Sequence, residues 1–543
     1  MKRYIYILSL LAIMLSSCDS FLTTPPLDQI PDGEWWKNEK EVKMTVNDCY
    51  NKLPSAAYLV EHDFKRTDNG MHRHHKDIAN GSYTAYSGDV RNEWKYDHIA
   101  RFNYVLEGIE RSVNIISDRV YKESKSEVRF LRAYTYYYML FHFGDIPLIK
   151  KVLTPAESKE TSRQPRQEVL DFVLTELKEV LEDLKMAEPK ERGRVNRDVV
   201  HAFLARIYLY EGQFNKVLMH TESIIDSGRY ELFRKYDNVA DKNSYEELFR
   251  PQSDKENREV IFEKQYLAPQ VVHAINRSCS YSSSIYKGWI EILPLQNLVD
   301  EYECINGHSY ADCEKLNCEY VALRTEVELQ GKKPGEYEYR DPRLQGTIIT
   351  PGWEWKVNGV VQSTYGIEDP TSRDYIKTEP HSTGFLLTKW VDLLGVEEDR
   401  TRGDKNITLI RYADVLLMHA EALLETNKEL DEVVSILNQI RSRAGLPENI
   451  VLTDQDTLRK QLRKERRIET AFEGLRFFDI IRWKIGEEVQ ERDVYGFAMK
   501  DPDTGVRENI FMEKRIWKNN MYLWPIPQAA IDVNENLTQN PEW

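Results

Sequence analysis

Apolar residues recur at three- and four-residue spacings through most of the chain, the pattern of helices that bury one face. In residues 166–184, Leu170, Val173, Leu174, Leu177, Leu181 and Leu184 fall on one side, which predicts an amphipathic helix. Residues 197–211 predict a second helix, stopped by Gly212, with 214–226 as its antiparallel partner. Ala205, Tyr208, Gly212 and Phe214 occupy the spacing of a tetratricopeptide-like unit. The small residue lets two helices approach, the tyrosine fills the gap, and the glycine permits the turn. Ala133 with Tyr136, and Ala420 with Leu423, are weaker echoes. Further helices are predicted at about 38–53, 94–118, 123–143, 410–426, 431–443 and 455–473.

Between about 230 and 405 the helical period breaks. This stretch carries Pro251, Pro269, Pro294, Pro334, Pro342, Pro351, Pro370 and Pro380, with short strand-like pieces at 347–350 and 385–388. The fold expected is mainly α, a scaffold of tetratricopeptide-like helix pairs carrying a loop-rich capping region. Its divisions are an N-terminal helical scaffold at 38–229, a loop-rich ligand-binding region at 230–405 and a C-terminal helical region at 406–543. The last stretch, 522–543, is rich in Pro and Asn and is expected to run along the surface.

The N-terminus breaks the pattern differently. Lys2 and Arg3 precede an apolar run from Tyr4 to Leu15, then Ser16, Ser17 and Cys18. The run is too short to span a bilayer, which takes about 20 residues, and fits a secretory signal. Leu15-Ser16-Ser17-Cys18 resembles a bacterial lipobox, which implies a signal peptide of residues 1–17, a lipidated Cys18 and an anchored leader at 18–37. The rival is a plain secretory signal with an incidental cysteine. Acyl chains would then hold the protein to a membrane, at about 0.8 kcal/mol per buried CH₂.

Composition narrows the function. The 543 residues carry 74 Lys plus Arg against 89 Asp plus Glu, a formal charge of −15, which becomes −17 once residues 1–17 are removed. With no basic cluster to neutralise phosphates, a nucleic-acid partner is excluded. The aromatic count is high: 31 Tyr, 18 Phe and 11 Trp. Six of these are the candidate ligand platform. Tyr83, Tyr86 and Trp94 lie in or just beyond the loop from Asn80 to Asn92, and Tyr281, Tyr286 and Trp289 lie in a serine-rich stretch. Tyrosine and tryptophan offer a flat apolar face with a polar edge, suited to stacking on sugar C–H faces. Trp353, Trp355 and Tyr365 form a weaker group.

Other clusters read as structural. Cys304, Cys313 and Cys318, with His308 between them, lack the two-to-four spacing of zinc pairs, so a local disulfide or buried thiols are expected there. Cys49 and Cys279 complete an odd count besides Cys18. His72, His74 and His75 are too close in sequence to converge on one ion, and Arg73 and Lys76 oppose a cation. Glu465, Arg466, Arg467, Glu469, Glu473 and Arg476 alternate in sign at helical spacing, so a packing staple is expected rather than a catalytic pair. Neither a nucleophile elbow nor a phosphate-binding or dinucleotide loop is present.

Several ordered segments are more specific: Glu127–Tyr134 running into 143–149 (Phe-Gly-Asp-Ile-Pro-Leu-Ile), 410–423 around Arg411-Tyr412-Ala413-Asp414, and 437–446. Then come 465–483 and Leu523-Trp524-Pro525-Ile526-Pro527, closing on 537–541, with Tyr96, Ile99, Asn103 and Arg340-Asp341-Pro342-Arg343 in place. In order and spacing these resemble the SusD/RagB family of Bacteroidetes outer-membrane nutrient-binding lipoproteins, from Cys18 onward. The resemblance implies a non-catalytic surface lipoprotein without cofactor or metal. Such a protein captures oligosaccharides for a SusC-like TonB-dependent outer-membrane transporter. It places the ligand platform on the early loop and the middle region. Capture of peptides or another nutrient by the same lid mechanism is the alternative, and a surface glycoside hydrolase the remote one.

Overall fold

A computed structural model describes residues 35–74, 76–184, 192–235, 244–250, 257–279, 288–309, 312–313, 337, 339–357, 360–372, 374–375, 382–391, 401–500 and 504–543. Cys18, Tyr281, Tyr286, His75 and Cys318 lie outside the described residues, as do the signal and most of the leader. No described helix is long and apolar enough to cross a membrane.

The fold is mainly α. Its longer helices are α1 (Glu39–Cys49), α2 (Ala56–Arg66), α3 (Tyr96–Arg111), α4 (Asp118–Phe143), α5 (Arg166–Asp183), α6 (Arg197–Tyr210) and α7 (Phe214–Ile225). After the middle region follow α8 (Tyr412–Glu425), α9 (Leu430–Arg443), α10 (Gln455–Glu469) and α11 (Arg476–Trp483). Short polar side chains start several of them by taking up orphan amides. Asn196 accepts from the amides of Asp198 and Val199 at α6, and Asp454 from those of Asp456 and Thr457 at α10.

Helices α3, α4 and α5 pack in sequence, then α6 on α7, α7 on α8, and α8 on α9 and α10. Ala205 is fully buried, the Tyr208 ring stacks on His220 at 5.5 Å, and Gly212 turns the chain at φ +67°. The helix pair read from the sequence is therefore built as its spacing implies. Helix α8 is buried on every side from Ala413 to Leu424, so helices before residue 229 and after 406 share one core. A second core gathers residues from the middle region around α2 and the turn after α10.

Sheet is scarce and every described sheet is a two-stranded antiparallel ladder. They pair β1 (Gly70–His72) with β3 (Ile292–Pro294), β2 (Val260–Lys264) with β8 (Ile407–Arg411), and β4 (Ile348–Ile349) with β7 (Leu386–Leu387). The last pair unites the two strand-like pieces read from the sequence. The others are β5 (Glu354–Val357) with β6 (Val360–Thr364) and β9 (Asp493–Lys500) with β10 (Arg507–Lys514).

Three expectations change. Helix α3 stops at Arg111 rather than near 118, because Ser112 turns its hydroxyl to the Gly108 carbonyl and Ser117 already begins α4. Helix α4 begins at Asp118, earlier than the predicted start at about 123. The C-terminal segment runs along the surface over 528–533 but is anchored in the core on either side: Trp524 is 1% exposed against His142 and Phe477, and Asn540 bonds the carbonyls of Phe143 and Trp524.

Candidate functional site

The charged motifs form a buried framework. Glu469 accepts from Arg411, Arg443 and Arg343, and Glu473 from Arg411 and Lys389. Asp414 holds Arg206 and Arg466, at 2.7 and 2.8 Å. Arg343, from the Arg-Asp-Pro-Arg segment, also grips Asp341 and Glu465. Burial alone would raise the carboxyls of Glu469 and Glu473. Arg443, Arg411 and Arg343 outweigh it at Glu469, and Arg411 with Lys389 at Glu473, so both lie below their ordinary range. Carboxylates committed in this way have no proton to donate. The turn after α10 is pinned by the same groups: Asp63 accepts the Phe472 amide, Lys389 reaches the Ala471 carbonyl, and Gly474 sits at φ +75°. The N-terminal motifs are joined likewise. Asn103 donates to the carbonyls of Ile149 and Lys151 and accepts from Arg132, while the Tyr96 hydroxyl bonds Pro147.

With the motifs accounted for, the aromatics divide. Tyr83 is 4% exposed, its ring set between Trp524 at 5.7 Å and Trp543 at 5.0 Å. That placement corrects its assignment to the platform, because both neighbours occupy space a ligand would need. Trp94 is half-buried, with Tyr96 at 4.9 Å and Phe143 edge-on at 5.0 Å. Tyr86 is 81% exposed at the tip of a turn, where its amide bonds the Thr84 hydroxyl and Gln528 clasps the Ala85 carbonyl. In the weaker group Trp355 and Tyr365 are buried in the second core and Trp353 only partly so, which removes the first two as stacking surfaces.

Trp289 is 47% exposed, and the Arg277 guanidinium lies over its ring at 4.2 Å. The Trp289 amide donates to the Arg277 carbonyl at 2.8 Å, which fixes the two segments together. Arg277 Nε has no hydrogen-bond partner among the described residues. An exposed aromatic plane thus stands with a guanidinium held against one face, an arrangement that suits stacking of a sugar ring on the other. Arg277 escaped the sequence reading because an arginine twelve residues before a tryptophan has no periodic signature.

The ladder of β1 on β3 brings the chain ahead of the early loop beside the chain that follows Trp289. Met71 faces Leu293, and the Arg73 amide bonds the Glu291 carbonyl at 2.8 Å. The chain leading into the early loop therefore lies beside the chain leaving Trp289. His72 is buried on β1, with the His74 ring 6.3 Å away. Among the described residues no group of three or more His, Cys, Asp or Glu could hold a metal ion. Cys49, Cys279, Cys304 and Cys313 are all buried.

Comparisons with known proteins bear on the whole chain. Residues 258–543 match the sequence profile of the SusD family, and residues 27–209 one described as starch-binding, associating with outer membrane. "SusD-like protein P38" of Formosa agariphila is 25% identical, across 88% of this chain and 90% of that one. "Starch-binding protein SusD" of Bacteroides thetaiotaomicron is also 25% identical, across 83% of this chain and 78% of its own. Among solved structures, a SusD-like protein from Bacteroides fragilis superposes with a TM-score of 0.78 at 27% identity, covering 96% of this chain and all of that one. A SusD-like carbohydrate binding protein from the same species gives 0.77 at 25% identity, over 93% of this chain and 99% of the other.

Proposed function

The chain belongs to the SusD family, and from that premise we propose that it binds oligosaccharides at the outer membrane and delivers them, uncut, to a SusC-like TonB-dependent transporter. The observation that carries the reading is Trp289, half in solvent with Arg277 against its ring. Tyr86, held out at a turn tip of the early loop, is a second exposed ring. A sugar ring stacked on the open face of Trp289 would gain apolar contact over its C–H face. The starch-binding relative and the carbohydrate-binding structure support the ligand class by their names. A non-catalytic role is supported by the motif carboxylates, which are bound into the arginine framework. Lipid attachment at Cys18 is inferred from the lipobox resemblance, and an outward-facing position from the SusD/RagB resemblance.

The test replaces Trp289 with Ala in the purified protein and titrates it with the glycan that the parent binds best. Loss of one stacked aromatic is expected to weaken binding by about 1.4–2.8 kcal/mol, or ten- to a hundredfold. Unchanged affinity would remove Trp289 from the site. Release of new reducing ends during the titration would replace capture with hydrolysis, and binding of peptides alone would shift the ligand class.

A further inference from the structure

A cavity opens at the end of the early loop, lined by Glu93 and Lys95 on either side of Trp94. It has a volume of about 260 Å³ and opens between α2, α4, β2 and the turn after α10; Tyr83, Tyr86, Trp94 and Trp289 take no part in its lining. That is just below the roughly 300 Å³ at which small-molecule sites begin, room for one ring rather than an oligomer. Its wall combines the aromatic rings of Tyr58, Tyr138 and Phe478 with the imidazole of His62 and the ammonium groups of Lys95 and Lys264.

Two features of that wall are unresolved by the protein itself. His62 is 3% exposed and stacks on Phe478 at 5.3 Å, and neither ring nitrogen has a hydrogen-bond partner among the described residues. A buried polar group left unpaired costs about 1–3 kcal/mol, a cost that a turned ring would relieve by meeting a bound hydroxyl. The charges are also unbalanced. Glu93 is spent on Arg66 and Tyr58, Glu473 on Arg411 and Lys389, and Arg206 on Asp414. Lys52 reaches Asp97. Lys264 donates to the backbone carbonyls of Asn51 and Leu53, at 3.1 and 2.9 Å, and to no carboxylate among the described residues. Lys95 sits over the Tyr58 ring at 5.3 Å, again with no carboxylate partner. Both ammonium groups therefore lack a direct carboxylate contact among the described residues, although Glu93 is near enough to act on Lys95.

We propose that this cleft is a second binding site, selective for a small hydroxylated carboxylate one sugar ring in size, such as a free hexuronate. The carboxylate would be held by Lys264 and Lys95, the ring would lie along Tyr58 and Phe478, and a hydroxyl would meet His62. Burial pushes Lys264 down to about 8, consistent with a charge that lacks its counter-ion. The site shares no residue with the Trp289 platform, so it stands or falls independently of the glycan-capture reading.

The experiment is calorimetry of the purified protein at low salt with glucuronate, beside glucose as the neutral ring and acetate as the carboxylate without a ring. Saturable glucuronate binding is expected, with glucose and acetate each at least tenfold weaker. Lys264→Gln combined with Lys95→Gln should cost glucuronate a further tenfold or more, the worth of charged hydrogen bonds. His62→Phe keeps the aromatic packing and should also weaken glucuronate binding. Absence of saturable glucuronate binding, equal binding of glucose, or undiminished binding by the double lysine variant would each overturn the proposal. The comparison of the three ligands on the parent protein holds even if a variant fails to fold.

Discussion

Glu469 and Asp63 sit about the same turn and respond to burial in opposite ways. Glu469 meets three arginines and stays ionised. Glu469→Gln would leave those guanidinium groups short of a counter-charge, and is expected to cost about 3–5 kcal/mol, read as a lower midpoint in urea unfolding. Asp63 is fully buried, and desolvation outweighs the Phe472 amide and the nearby Lys389 and Arg476, so burial pushes its carboxyl up to about 7 from 3.8. Between those values the folded chain keeps a proton that the unfolded chain releases. The contribution is full below about pH 4 and is lost as pH rises through 7. Asp63→Asn removes this dependence. Relative to the parent, the variant's thermal midpoint should rise between pH 5 and pH 8; a constant difference would show Asp63 ionised throughout. At this scale the sequence was readable for charge pairing, since alternating signs at helical spacing foretold the staple. It was silent on Arg277, and on the Tyr83 ring closed between Trp524 and Trp543. Contacts across more than four hundred residues have no local pattern.

Helices with a plainly apolar face were legible: α5 buries Leu170, Val173, Leu174 and Leu177 as the spacing requires. Helix α2 was not, because its buried face includes His62, Asp63 and Arg66 alongside Val60 and Phe64. Charged residues that are buried by pairing read as solvent-facing when only hydropathy is counted. The β9–β10 hairpin was missed although Gly505, at φ +73°, is the turn glycine its position calls for. The C-terminal segment shows the same blindness, with Pro and Asn suggesting surface while Trp524 lies at 1% exposure. Trp524→Ala should therefore destabilise the protein by about 3–5 kcal/mol. A thermal midpoint equal to the parent's would return the segment to the surface.

Across the whole molecule, the ordered motifs and the ligand surface are different things. The motifs turned out to be the most buried polar groups, a framework of arginines and carboxylates that joins helices from both ends of the chain. They reveal the family because they build its fold, and for the same reason they say little about the ligand. Of the six chosen aromatics, Tyr86 and Trp289 stand in solvent, Trp94 is half-covered and Tyr83 is enclosed. Stacking surfaces near the early and middle loops were foreseeable from aromatic loops, whereas their exposure depended on the β1–β3 ladder and the path of the C-terminus. The central claim is that this chain captures glycans without altering them. Calorimetry of the purified protein against a broad oligosaccharide panel, with a peptide set beside it and reducing ends assayed afterwards, tests it most directly. The account predicts saturable binding of at least one oligosaccharide, with the reducing-end count unchanged. Binding confined to peptides, or reducing ends rising with time, would contradict it.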